Sequence, residues 1–169
     1  LVTAQHRDML DQVLDVFKIK PDYDLDVMQD NQTPTDVAAE VLKHIQPIFR
    51  DEKPDWILVQ GDTTTVLAAS LAAFYSQVKV GHVEAGLRTH DRYNPFPEEI
   101  NRVLADQLSD LHFAPTETSK KALLREGIDE KRVHVTGNTV IDALKFIVAQ
   151  PFIGSLPQYP KDKKLILIT

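Results

Sequence analysis

Short apolar runs alternate along the chain with longer segments in which apolar residues recur every three or four positions. That spacing is typical of an amphipathic helix, whereas a short continuous apolar run between turn residues is typical of a buried strand. The pattern predicts strands at 56–59, 78–83, 111–114 and 133–136, and an alternating, edge-like strand at 23–28. It predicts helices at 6–17, 35–49 with Thr35 as N-cap, 63–75, 97–108, 116–125 and 140–149.

The order of these elements is strand followed by helix, repeated along the chain. Short apolar strands that alternate with helices favour a mostly parallel sheet with helices on both faces, so the predicted fold class is α/β. Residues 1–150 are expected to form this domain. Residues 151–162, which contain three prolines and a glycine, are expected to be a linker, and 163–169 the first strand of a second domain.

The sequence at both ends of the chain indicates truncation. Residues 1–4 resemble the end of a strand without its start, and 163–169 form a new apolar strand with nothing after it to pair with or cover it. Because such a strand needs partners, we expect the chain to be part of a longer protein. The alternative is a last strand that completes the sheet of the same domain.

Composition narrows the possible classes of protein. The 169 residues are 43% hydrophobic, which suits one globular domain, and no apolar run approaches the ~20 residues of a membrane span. The formal charge of −6 provides no electrostatic basis for binding nucleic acid. The absence of cysteine excludes disulfides and thiolate zinc sites and fits a cytoplasmic protein. The histidines lack metal-site spacing, and neither the dinucleotide-binding glycine fingerprint nor the phosphate loop occurs.

Carboxylates stand at three successive element ends. Asp62 follows the strand at 56–59, Glu84 follows the strand at 78–83, and Glu98 opens a helix. In an open α/β sheet, ligands bind beyond the carboxyl ends of the strands. Clustered carboxylates suit acid–base chemistry on a sugar, so these residues are candidates for proton transfer.

Each of these carboxylates also has a structural interpretation. Asp62 is a suitable helix N-cap. Glu84 can form a salt bridge with Arg88 or Arg92. Glu98 is favoured at a helix start by the dipole alone, and it can pair with Arg102 four residues later.

His82 precedes Glu84 by two positions, so a regular strand would direct both side chains to the same face. A histidine in such a strand is alternatively a core residue. Arg88 and Arg92 can bind phosphate or balance the nearby acids.

Several motifs, taken in order, resemble those of one family. The family is the bacterial non-hydrolysing UDP-N-acetylglucosamine 2-epimerases, and the match runs along essentially the whole chain. The motifs are Thr-Ala-Gln-His-Arg at 3–7, Gly-Asp-Thr-Thr-Thr at 61–65, Gly-His-Val-Glu-Ala-Gly-Leu-Arg at 81–88, Pro-Glu-Glu at 97–99 with Asn-Arg at 101–102, and Thr-Gly-Asn-Thr-Val-Ile-Asp at 136–142.

The resemblance implies two Rossmann-like domains in the glycosyltransferase-B arrangement, with the active site in the cleft between them. This chain would be the first domain without its first strand. The implied reaction interconverts UDP-GlcNAc and UDP-ManNAc, by elimination of UDP to 2-acetamidoglucal and re-addition, for surface polysaccharide precursors. It implies no nicotinamide cofactor, no metal and a homodimer. The family's catalytic histidine and most uridine and diphosphate contacts would lie after Thr169.

The resemblance also implies roles for individual side chains. The implied catalytic carboxylates are Asp62, Glu84 and Glu98. The implied substrate-binding residues are His82, Arg88, Asn101 and Arg102. Gln5 and His6 match positions that help to bind a second UDP-GlcNAc as an allosteric activator, but Asn31 stands near a position that is basic in some members.

Two other functions remain open on the sequence. One is a hydrolysing relative that releases ManNAc and UDP and shares the fold and many of the motifs. The other is a non-catalytic sensor of nucleotide sugars. Carboxylates are poor partners for a diphosphate, so their density at the strand ends argues mildly against the sensor.

Overall fold

The computed structural model describes residues 1–4, 7–27, 29, 31–151, 162–164 and 166. The chain divides into two units, Leu1–Asn138 and Thr139–Thr169. In chain order, the elements of the first unit are α1 (Arg7–Phe17), α2 (Pro34–Glu52), β1 (Trp56–Gln60), α3 (Thr64–Tyr75), β2 (Lys79–Val83), α4 (Glu98–Leu108), β3 (Leu111–Ala114), α5 (Glu117–Arg125), a 3-10 turn (Glu130–Arg132) and β4 (Val133–Val135). The second unit contains α6 (Thr139–Val148). No helix within these described ranges combines the length and apolar character that a membrane crossing requires.

The four strands form one sheet in the order β1-β2-β3-β4, and each neighbouring pair is parallel. The register matches Val59 with His82, His82 with His112 and His112 with Val133, so these side chains share one face of the sheet. The predicted parallel α/β sheet is confirmed. These strands lie within one residue of their predicted bounds because short apolar runs mark them locally.

The main core lies between the sheet and the helices α2, α3 and α4. The alanines of α3 have small side chains, which lets α2 and α4 pack closely against it. Burial of this apolar surface is the main contribution to the stability of the unit. The buried members of this core are Ile45, Phe49, Val59, Val66, Ala69, Ala72, Ala73, Val80 and Ala105.

The N-cap of α2 is Thr33, and the predicted cap at Thr35 is wrong. The Thr33 hydroxyl accepts a hydrogen bond from the backbone N–H of Asp36, and the Asp36 carboxylate accepts one from the backbone N–H of Thr33. This reciprocal capping box satisfies two helix-end donors, and Pro34 fits the first helical position. The helix continues through Pro47 to Glu52, beyond its predicted end.

The strand predicted at 23–28 is wrong for the described residues 23–27. Asp24 forms an isolated parallel bridge with Val2 rather than a regular ladder. Asp26 has a φ of +45°, which interrupts the extended backbone. The carboxylates of Asp24 and Asp26 both accept hydrogen bonds from Arg7, so ion pairs hold this segment in addition to its backbone bonds to Val2 and Thr3.

The second unit tests the predicted helix at 140–149 and contains the predicted linker and the predicted strand that follows it. Helix α6 confirms the helix predicted at 140–149 to within one residue at each end. Most of the predicted linker at 151–162 and of the predicted strand at 163–169 lies outside the described residues.

A close backbone contact joins the loop after β2 to α5. Gly86 has a φ of +84°, and a Cβ atom at this position would lie 2.4 Å from the backbone oxygen of Ser119. Ala85 and Leu123 are fully buried in the small core beside this contact. The loop therefore approaches α5 more closely than any side chain would permit.

We expect Gly86→Ala to destabilise the protein more than Gly127→Ala. Both glycines have positive φ, so both variants carry a backbone cost of about 1–2 kcal/mol. Only Gly86 adds a steric clash, because a Cβ atom at Gly127 would have no heavy atom within 4 Å. Urea unfolding should show an additional loss of about 2 kcal/mol for Gly86→Ala. Equal losses in the two variants would contradict the close contact.

Candidate active site

Asp62 lies just beyond the carboxyl end of β1. Gly61 makes the turn with a φ of +83°, and its N–H donates to the carbonyl oxygen of Val83 at 3.1 Å, which joins the ends of β1 and β2. The N-cap of α3 is Thr63, whose hydroxyl accepts from the N–H of Val66 at 3.4 Å. The capping interpretation of Asp62 is therefore wrong.

Glu84 follows β2 and has a φ of +68°. The regular strand ends at Val83, so the alternation on which a shared face for His82 and Glu84 was predicted does not extend to Glu84, and the shared face stays a prediction. The Glu84 Oε2 atom lies 3.8 Å from where a Cβ atom on Gly61 would be. The carboxylate therefore lies against the Gly61 turn, and Asp62 is the next residue of that turn.

The predicted salt bridges of Glu84 are not formed. Arg88 instead pairs with Asp106 and Glu126, each at 2.7 Å, and the Arg92 guanidinium lies over the ring of Tyr93 at 5.5 Å. Within the described part of the chain, Glu84 forms no ion pair.

Glu98 is half-buried at the first position of α4. The predicted helix pair between Glu98 and Arg102 is wrong, because Arg102 pairs with Glu99 at 2.7 Å. Glu99 is only 3% exposed and also accepts hydrogen bonds from the N–H groups of Thr89 and His90. Burial by itself would raise the pKa of Glu99, but these donors and Arg102 outweigh it and hold the pKa below its usual value.

Two side chains of α4 hold this helix against Asp62. The amide of Asn101 donates to the Asp62 backbone oxygen at 3.1 Å, and Arg102 lies 3.4 Å from the Asp62 carboxylate. Both side chains are buried. Because Glu98 lies about one turn earlier on the same helix, these contacts also fix the helix end that carries Glu98.

His82 is fully buried between the turn after β1 and α4. Its Nε2 atom lies 2.7 Å from the Gly61 oxygen, and its Nδ1 atom lies 2.6 Å from Asp106 Oδ1. The other oxygen of Asp106 accepts from the Gly86 N–H at 3.1 Å and from Arg88 at 2.7 Å. Burial would raise the pKa of Asp106, but His82 and Arg88 outweigh it, so the pKa stays below its usual value.

The predicted binding residues thus have partners inside the protein. His82, Arg88, Asn101 and Arg102 are all hydrogen-bonded or ion-paired to neighbouring residues, and the Arg88 side chain is only 2% exposed. Direct contact between these side chains and a substrate stays a prediction. Gln5 and His6, predicted to bind an allosteric ligand, lie outside the described residues.

Asp106, Glu99 and Glu126 are residues of this site that the sequence pattern did not indicate. Asp106 and Glu99 lie on the buried side of α4. The apolar pattern assigns charged residues to solvent and leucines to the core, but in this helix the arrangement is reversed, and Leu104 is 45% exposed. The spacing of Glu99, Arg102 and Asp106 by three and four residues was the available signal, because it places them on one helix face. No group of three or more possible metal ligands occurs among the residues that the structure describes.

A second buried histidine, His112, lies beside His82 on β3. Its Nε2 atom donates to the backbone oxygen of Asp106 at 2.8 Å, and its Nδ1 atom has no hydrogen-bond partner among the described residues. Burial lowers the pKa of His112, although Asp106 opposes the change. Because this pKa lies below the ordinary value of 6.5, the ring is neutral at pH 7 in the folded protein.

Comparison with known proteins connects this arrangement with one family. The sequence profile of the family described as UDP-N-acetylglucosamine 2-epimerase matches residues 1–169. The UDP-N-acetylglucosamine 2-epimerase of Escherichia coli K12 is 52% identical over 177 residues, which cover 99% of this chain and 47% of that protein. The chain spans about half the length of the curated relatives it matches.

Solved structures show the same likeness. A crystal structure of UDP-GlcNAc 2-epimerase from Neisseria meningitidis bound to UDP-GlcNAc has a TM-score of 0.82 and 57% identity, and the match covers 85% of this chain and 38% of that one. A structure of MnaA from S. aureus with UDP has a TM-score of 0.86 and 52% identity, and covers 92% of this chain and 40% of that one.

We expect the stability of the protein to fall as the pH decreases below about 6.5, in part because of His112. Below that pH the unfolded chain binds a proton at this ring that the folded protein does not bind, so the free energy of unfolding decreases. His112→Gln keeps a donor for the Asp106 oxygen but does not titrate. Urea unfolding between about pH 8 and about pH 5 should therefore show a smaller loss for His112→Gln than for the wild type. Parallel losses would contradict this role of His112.

Proposed function

Because the family profile matches all of its residues, the chain belongs to the UDP-N-acetylglucosamine 2-epimerase family, and we propose that the complete protein interconverts UDP-GlcNAc and UDP-ManNAc. The observation that carries this proposal is the arrangement of Asp62 and Glu84 around the Gly61 turn, together with the bonds from Asn101 and Arg102, about one turn after Glu98 on α4, to Asp62. The relative from N. meningitidis, solved with UDP-GlcNAc, supports the choice of substrate.

The proposed reaction changes the configuration at C2 of the sugar. A base removes the C2 proton, the bond from C1 to the UDP oxygen breaks, and 2-acetamidoglucal forms with UDP held nearby. UDP then adds again to C1 while a proton is delivered to the opposite face of C2, so that no atoms or electrons are gained or lost. The C2 proton is a poor acid, and the reaction therefore depends on positioned proton donors and acceptors.

Asp62, Glu84 and Glu98 are the proposed proton-transfer groups, and they share the roles of base, acid and orienting group. Proton transfer at two faces of one carbon requires groups on two sides, which is why several carboxylates are useful. Asp62 already has the cation of Arg102 beside it. Glu84 and Glu98 form no ion pair within the described residues, which supports their use by a substrate.

We propose that residues 1–150 are the first of two Rossmann-like domains, followed by a linker at 151–162 and the first strand of the second domain at 163–169. In this arrangement the chain supplies one wall of the active site, and the second domain supplies the other, with most contacts to UDP. A homodimer and a cytoplasmic location are further parts of the proposal, and they rest on the family resemblance.

We expect the complete protein to convert UDP-GlcNAc into UDP-ManNAc and the 169-residue chain alone to show no turnover, because it lacks half the length of its relatives. Nucleotide sugars separated by chromatography would give the products. Free ManNAc and UDP would favour the hydrolysing activity instead. Tight binding of UDP-GlcNAc by the complete protein without turnover would favour a sensor.

In the complete protein, we expect Asp62→Asn, Glu84→Gln and Glu98→Gln each to lower kcat by about a hundredfold or more, because each removes a proton-transfer group. The matched control is Glu117→Gln, since Glu117 has the same position at the start of α5 that Glu98 has in α4. It should leave kcat unchanged. Wild-type rates in all three site variants would rule out the assigned roles.

A further inference from the structure

His82 connects the two turns that carry the candidate carboxylates. One ring nitrogen faces the Gly61 oxygen at 2.7 Å, next to Asp62. The other faces Asp106 at 2.6 Å, and the second oxygen of Asp106 accepts from the N–H of Gly86, two residues after Glu84. We name this set of contacts, from Gly61 through His82 and Asp106 to Gly86, the His82 bridge.

The bonding partners define the protonation of the ring. A backbone carbonyl oxygen only accepts hydrogen bonds, and the ionised carboxylate of Asp106 also only accepts. Both ring nitrogens of His82 must therefore donate, which requires a doubly protonated, positively charged ring. Because His82 is fully buried, the carboxylate of Asp106 balances its charge, while the second cation, Arg88, is balanced by Glu126 as well as by Asp106.

Among the described residues, the His82 ring has no hydrogen-bond partner other than Gly61 and Asp106. His112, its register neighbour on β3, binds the backbone of Asp106 and not His82. Charged groups facing the bridge are Asp106 on α4, Arg88 in the loop after β2, and Glu126 after α5, which contacts Arg88. Both donors of His82 are therefore committed to the bridge.

We propose that His82 is a positioning residue, which acts without touching the substrate by fixing the Gly61 carbonyl and hence the place of Asp62 relative to Glu84. This inference rests on the proposed function. The turn after β1 is also held by the bond from Gly61 N–H to Val83 and by the contacts of Asn101 and Arg102 with Asp62. Loss of the bridge therefore loosens the turn without unfolding it. A displacement of about 1 Å at a catalytic group can cost about a hundredfold in rate.

Two substitutions of His82 test its contacts with Gly61 and with Asp106 separately. In His82→Gln the amide nitrogen can occupy the place of Nε2 and donate to Gly61, whereas in His82→Asn it can occupy the place of Nδ1 and reach only Asp106. In the complete protein, assayed with UDP-GlcNAc below its melting temperature, we expect His82→Asn to lose about tenfold to a hundredfold in kcat with KM changed less than about threefold. His82→Gln should stay within about threefold of the wild-type kcat.

A purely structural histidine would give a different result. Both variants would then lower stability while the folded fraction kept its kcat, as we expect for the control His112→Gln, a buried histidine that does not contact Gly61. Equal kcat values in the two His82 variants would overturn the proposal. If His82→Asn does not fold, a loss of about tenfold or more in the kcat of His82→Gln would still overturn the proposal, and the NMR measurement below decides between the two roles.

Nitrogen NMR of histidine-labelled protein tests the bridge independently of turnover. Both ring nitrogens of His82 should resonate as protonated in the wild type. In Asp106→Asn one of them should become unprotonated, because an asparagine amide can donate to the ring. One unprotonated nitrogen in the wild type would overturn the bridge. Absence of turnover in the wild type would instead refute the proposed function and leave the NMR result standing.

Discussion

The buried carboxylate of Asp106 is the group on which the candidate active site depends. A carboxylate taken out of water is costly unless donors surround it, and here three residues provide them: His82 of β2, and Gly86 and Arg88 of the following loop. Since Asp106 itself belongs to α4, its two oxygens join a helix, a strand and a loop. A shift of any of these elements would remove a donor from this buried charge, and this cost holds the end of the sheet in place.

The same requirement explains why α4 buries its polar residues. Glu99, Arg102 and Asp106 lie on one side of the helix and face the sheet end, while Leu104 is partly exposed. Each buried charge has a partner: Glu99 binds Arg102 and the loop backbone, and Arg102 also reaches Asp62. Buried polar groups of this kind are stable only when their hydrogen bonds are satisfied, so they constrain the geometry more tightly than apolar packing would.

The carboxylates of this chain fall into two groups that differ in what surrounds them. Asp106 and Glu99 are buried and fully bonded within the protein, which holds the pKa of each below its usual value and suits a fixed negative charge. Glu84 and Glu98 are partly accessible and form no ion pair within the described residues. A rigid, charged inner layer that supports accessible carboxylates is compatible with the proton transfer proposed for the complete protein.

The sequence by itself determined the elements and their order. Apolar runs, Thr116 as a cap and Gly127 after α5 are local signals, so the strands and most helix ends follow from neighbouring residues alone. Only the tertiary structure decided the partners of the charges. Arg88 pairs with residues 18 and 38 positions away, and Asn101 with one 39 positions away. Such contacts depend on which strands become neighbours, and no local spacing encodes that. Local spacing therefore predicted the pairs Glu84–Arg88 and Glu98–Arg102. In the folded protein, Arg88 pairs with Asp106 and Arg102 pairs with Glu99.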